Sequence, residues 1–195
     1  MNNPIEEAGF CSQVLVSIRI VLTTMAGCCI LYTLVVLGSG QVLAPYSANG
    51  SLVHDDQGKI VGSEILAQGF SRREYFWPRP SAVDYNASAA GASNLSPTNP
   101  KLRARAEAII AQFGEAPGKP VPADLVTTSG SGLDPHITLA AAKFQAERVA
   151  SARRLDGATV MQLLERHAIH QGGALTSEAL VNVLLVNMEL DKLGK

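Results

Sequence analysis

Beyond Cys29 the sequence has no cysteine; Cys11, Cys28 and Cys29 are the only three. Everything downstream therefore lacks a disulfide framework and a thiolate metal site, and must be held by its own apolar core. No excess of one charge sign exists either: 16 Lys and Arg against 17 Asp and Glu leave a net charge of −1. Nucleic-acid binding normally needs a basic face, so no nucleic acid is expected as a partner. Several chemical signatures are also missing. There is no G-x-x-x-x-G-K-[ST] phosphate loop, no H-E-x-x-H, and no G-x-S-x-G, because Ser129 stands where the last of these needs Gly. An aspartyl-phosphate loop is absent as well, which excludes ATP hydrolysis by this chain on its own.

Charge is missing most conspicuously from one stretch. No charged residue lies between Ile20 and Leu37, and the next is Asp55. At about 1.5 Å per residue, an apolar helix over 18–44 is long enough to cross a bilayer core of about 30 Å with its amides satisfied internally. A cleaved signal peptide fits less well. The apolar run exceeds the usual 7–15 residues, Glu6 and Glu7 precede it, and Pro45 follows the only tolerable cleavage pattern, Val42-Leu43-Ala44. The expected organisation is a tail over 1–17, an anchor over 18–44 and one soluble domain over 45–195. Arg19 flanks the amino end of the span, while Lys59 is distant and sits near Asp55 and Asp56, so the charge rule favours a cytoplasmic amino terminus. Small residues at Ala26-Gly27-Cys28 and Gly38-Ser39-Gly40, with Thr23 and Thr24, suit a helix–helix contact within lipid.

In the soluble part, Asn49-Gly50 marks a turn. Tyr75-Phe76-Trp77-Pro78-Arg79-Pro80-Ser81 concentrates aromatic area beside a cation, and reads either as a satellite core pinned by two prolines or as a partner-docking surface. Residues 85–100 form a long loop whose Asn and Ser side chains suit turns closed on their own backbone. Leu102, Ala106, Ile109, Ile110 and Phe113 share one helical face, ended by Gly114. Leu125–Thr128 reads as a short strand. Thr138 caps a helix running to about Arg154, a second helix covers Ala158–Ala168, and the region from Ser177 reads as a strand followed by a helical turn. Few strands, several helices and no βαβ repeat predict an α+β domain.

The best chemical candidate is Ser129-Gly130-Ser131-Gly132-Leu133-Asp134-Pro135-His136-Ile137. Its glycines allow tight turns and exposed amides, which suits phosphate or carboxylate binding ahead of a helix; the alternative is a plain Gly-rich turn. Ser131, Asp134 and His136 would serve a membrane-anchored serine hydrolase if geometry assembled them. His167 and His170, three apart, could face one ligand, but a pair on an exposed helix end is more often solvated than metal-bound.

Taken together, the chain resembles a known family. Gly62-Ser63 with Gln68-Gly69-Phe70, the 75–82 aromatic string, Gly91-Ala92-Ser93-Asn94-Leu95-Ser96-Pro97-Thr98-Asn99-Pro100, Pro120–Val126, the 129–137 string and Val181-Asn182-Val183-Leu184 are similar to the C subunits (KdpC) of Kdp-type potassium-transporting ATPases. Trp77-Pro78 departs from the His-Gly pair usual before Arg79, and Ala92 replaces a second Gly. The resemblance implies a non-catalytic subunit of a bacterial inner-membrane pump, with its soluble domain outside the cytoplasm. Its implied partners are the channel-like KdpA, the P-type ATPase subunit KdpB, the small KdpF and membrane lipid. It further implies a catalytic chaperone that raises the ATPase subunit's affinity for ATP. Ser129, Gly130, Ser131, Gly132 and Gln145 would then be the nucleotide-side residues.

Overall fold

The computed structural model describes residues 9–114, 120–171 and 178–193. It divides into two units, Met1–Ser51 and Leu52–Lys195.

The first unit is built on a helical rod. Helix α1 (Phe10–Met25) passes through a π-helical segment (Ala26–Leu31) into α2 (Tyr32–Leu43). The rod is 34 residues long, or about 51 Å at 1.5 Å per residue. It starts at Phe10 rather than at 18 because nothing between Phe10 and Ala26 breaks a helix: no Pro or Gly interrupts that run. The wide turns sit at Gly27-Cys28-Cys29, where small side chains crowd least. Ala44 leaves helical geometry (φ −148°, ψ 62°) ahead of Pro45, whose ring disfavours helix in the residue before it. A single turn, α3 (Pro45–Ala48), follows. The expected Asn49-Gly50 turn is present: Gly50 has φ +84°, Ser51 N–H donates to Tyr46 O, and the Gln41 and Asn49 amides donate to each other.

The second unit is an α+β domain. Strands β1 (Leu52–His54) and β2 (Ile60–Ser63) form an antiparallel hairpin. Helix α4 (Pro100–Phe113) starts as its sequence signals: Asn99 accepts from Lys101 N–H, Pro100 takes the first turn, and Gly114 ends it. Strand β3 (His136–Thr138) runs into α6 (Leu139–Arg153), whose cap is Thr138 Oγ1 accepting from Ala141 N–H. Helix α7 (Gly157–Arg166), β4 (Ala168–Ile169), β5 (Leu180–Asn182) and α8 (Val183–Leu193) complete it. The three short strands pair antiparallel in the order β3-β5-β4, with Val181 opposite both Ile137 and Ala168.

Val149, Val160, Leu163, Leu164, Val181, Val186 and Leu190 form the core between these helices and the sheet, and Phe76 enters it from the irregular segment. The ambiguous carboxy-terminal pattern resolves as strand then helix, since Val183, Val186, Asn187 and Leu190 share the buried face of α8. One expected strand is a helix turn instead. Residues Ala123–Val126 form α5, because Pro122 caps the turn and Asp124 Oδ2 accepts from Thr138 N–H, which points Leu125 into the core. The β-propensity of Val126-Thr127-Thr128 loses to that anchoring.

Candidate functional site

Residues 72–85 have no regular structure, so their backbone amides need partners from elsewhere. Two buried side-chain amides supply them. Gln145 on α6 accepts from Trp77 N–H at 2.9 Å and donates to Trp77 O at 3.1 Å. Asn187 on α8 does the same for Phe76, at 2.8 and 3.0 Å. Each amide imitates the paired bonds of a neighbouring strand, so adjacent residues are bracketed from two helices. Arginines extend the bracket. Arg148 donates to Arg73 O and Tyr75 O, and Arg153 donates to Glu74 O and Leu190 O while pairing with Asp191.

The aromatic cluster is thereby divided. Phe76 is core, at 1% exposure. Trp77 is half-buried, with the Arg148 guanidinium 4.0 Å from its ring centre and Phe113 at 5.1 Å. Pro78 is buried and Arg79 is fixed by Asp134 at 3.1 Å. The core reading therefore holds for Phe76 and Pro78, while Trp77 and Arg79 are part-exposed and held by partners within the domain.

Downstream of Arg79, the segment carries the 129–137 loop. Ser129 N–H donates to Pro80 O, Ser81 Oγ donates to Gly132 O, and Gly91 N–H donates to Ser131 O. Gly132 is required here: its φ is +70°, and a Cβ would lie 2.7 Å from Val83 Cγ2 and 2.9 Å from Gly91 O. The Tyr85 hydroxyl donates to Arg79 O, and burial, with Asp84 nearby, pushes its pKa up. Burial also pushes the Asp134 carboxyl up, but hydrogen bonds from His136 and Arg79 outweigh it and hold the group below its ordinary value.

This geometry decides what the candidate residues can do. The Gln145 oxygen accepts from Trp77 N–H and Arg148 Nη2, and its nitrogen donates to Trp77 O. Its oxygen is filled twice, one of its two N–H groups is used, and the side chain is only 1% exposed. Its partners are not those of the loop, so the chain does not join Gln145 with Ser129, Gly130, Ser131 and Gly132 into one site. Within the loop, Ser129 is buried, Gly132 N–H donates to Ser129 O, and Leu133 N–H donates to Ser131 Oγ. The Gly132 and Leu133 amides turn inward, Gly130 and Ser131 are exposed, and the adjacent charge is Asp134 paired with Arg79.

The hydrolase arrangement is not assembled either. Ser131 Oγ accepts from Leu133 N–H, and Asp134 is engaged by Arg79 and by the backbone of His136, whose Nδ1 lies 3.7 Å away. No contact joins Ser131 to His136 among the described residues. His167 caps α7 and His170 lies beyond β4, so their spacing does not place them on one helical face.

Sequence reasoning missed Asn187 and Arg148 as determinants of this site. The available signal was a lone amide inside an apolar helical face, Val183-Leu184-Leu185-Val186-Asn187, the same signal Gln145 gives between Ala142 and Val149.

The family model described as KdpC: K+-transporting ATPase, c chain, matches residues 14–192. Among curated relatives, a protein of Parvibaculum lavamentivorans is 48% identical over 176 residues, covering 90% of this chain and 94% of its own length. A Pseudomonas putida protein is 45% identical, covering 91% and 94%, and a Synechocystis protein is 43% identical, covering 83% and 88%. All three carry the name potassium-transporting ATPase KdpC subunit.

Proposed function

The chain belongs to the KdpC family of K+-transporting ATPase c chains, and from that premise we propose that it is the non-catalytic accessory subunit of an ATP-driven potassium pump. The match over 14–192 carries this reading, because it spans both the apolar rod and the bracketed domain. In the proposal, the rod is retained in a bacterial inner membrane, and Arg19 keeps its amino end cytoplasmic. The domain then works outside the cytoplasm, against a channel-like subunit (KdpA), the P-type ATPase subunit (KdpB) and the small KdpF.

Its role is to stabilise the assembly and to raise the ATPase subunit's affinity for ATP. That effect is relayed through protein contacts. ATP is cytoplasmic, and the buried Gln145 amide, engaged by the backbone of Trp77, supports a relay over direct contact. The test measures ATP dependence of hydrolysis by the pump with and without this chain, beside equilibrium binding of ATP to the chain alone. The expected result is tighter apparent affinity only with the chain present, and no saturable binding by the chain itself. Unchanged affinity in the pump sinks the chaperone role; saturable binding by the isolated chain sinks the relay.

A further inference from the structure

Arg148 is a partly buried cation with no ion-pair partner among the described residues. Its guanidinium stacks on Trp77, and its hydrogen bonds go to neutral acceptors, the carbonyls of Arg73 and Tyr75 and the oxygen of Gln145. Its Nε is buried and unpartnered. The neighbouring arginines of the bracket are matched, Arg79 by Asp134 and Arg153 by Asp191. Arg148 instead has Arg73 beside it. Burial first, and repulsion from Arg73 second, pull its pKa down to about 10. Among the described residues, neither Arg73 nor Arg148 lies within ion-pair distance of a carboxylate.

Both arginines line one cleft of about 530 Å³, with Phe113 and Phe144 as its apolar wall and Glu147 and Ser151 on the α6 side. Two guanidiniums without an ion-pair partner among the described residues, set beside aromatic rings, make a complementary seat for a negative group carried on an apolar surface. A single planar carboxylate suits the fork of Arg73, while Arg148, its donors largely used internally, contributes field.

We propose that the Arg73–Arg148 cleft docks one carboxylate side chain of a neighbouring subunit, with an adjacent apolar residue of that subunit against Phe113 and Phe144. The inference rests on the assembly reading above and names where one contact is made. Arg73 is the residue to change, because its exposed side chain makes no hydrogen bond or ion pair among the described residues.

The full chain, wild type or altered, is co-expressed with the other pump subunits and recovered through a tag on the ATPase subunit. Arg73→Glu removes the repulsion on Arg148, so it should hold or raise the melting temperature of the isolated chain while lowering its recovery about ten-fold, whereas Arg73→Lys should retain most of that recovery. Recovery of Arg73→Glu at the wild-type level overturns this inference alone. Failure of the wild type to co-purify overturns the assembly reading and takes the inference with it. A second arm titrates the isolated chain with inorganic phosphate and with ATP, followed by fluorescence of Trp77, the sole tryptophan. No saturable change is expected at millimolar concentration; a saturable one assigns the cleft to a small anion and overturns the docking of a subunit carboxylate.

Discussion

Replacing Gln145 by Leu keeps the volume of a fully buried side chain and removes both bonds of one bracket. Trp77 N–H and Trp77 O then lose their partners, as does one nitrogen of Arg148. A buried backbone donor or acceptor left unsatisfied costs about 1–3 kcal/mol. Trp77 and Arg148 are only partly buried, so water recovers some of that, and the net loss is about 2–4 kcal/mol. For a chain of this size it lowers the melting temperature by about 6–12 °C. Asn187→Leu should do the same through Phe76, with the larger effect, because Phe76 and Asn187 are each 1% exposed. The two losses should not add: releasing one of two adjacent residues already loosens the other. Thermal and urea unfolding of the full chain in detergent, read by Trp77 fluorescence, measures all three variants. The reasoning is refuted if Gln145→Leu unfolds like the wild type while the pump's ATP affinity falls, since Gln145 would then serve a ligand and not the fold.

Other outcomes follow from the same geometry. Gly132→Ala forces a side chain into left-handed backbone against Val83 and Gly91 O, and should cost about 2–4 kcal/mol in urea denaturation. Phe76→Ala empties a core position and should cost about 3–5 kcal/mol by the same assay. Acidification should destabilise the domain in two steps. Burial, outweighing the attraction of Glu189, depresses the His167 pKa, so its contribution is full above the ordinary histidine value and is lost as pH falls through the lowered one. Asp134 is depressed too, and its contribution is lost only below the ordinary carboxylate range. Melting temperatures across pH 7 to 3, repeated with His167→Gln, should remove the first step and leave the second.

Local signals foretold the helices well. Asn99-Pro100 and Thr138 start α4 and α6 where their side chains cap them, and the turn chemistry of residues 85–100 appears as Asn86 accepting from Ser88 N–H. Leu125–Thr128 was misread because a remote contact, Asp124 to Thr138, outweighs propensity in so short a piece. Strands of two or three residues, such as β3 and β4, carry too few alternations to register as a period. The site was legible as strings and illegible as geometry. The glycines of 130 and 132 suggest exposed amides; Gly130 is exposed, but Gly132 is buried where Pro80, Ser81 and Gly91, distant in sequence, bond the loop backbone. Gln145 entered only through the family resemblance, and its bonds to the backbone of Trp77 could not be read from the string.

The most direct test of the account is recovery of the full chain from bacterial membranes through a tag placed after Lys195, without denaturant. The account predicts that the chain stays with the membrane fraction until detergent is added and then elutes with the channel-like and ATPase subunits. Elution alone, or release into the soluble fraction without detergent, would contradict it.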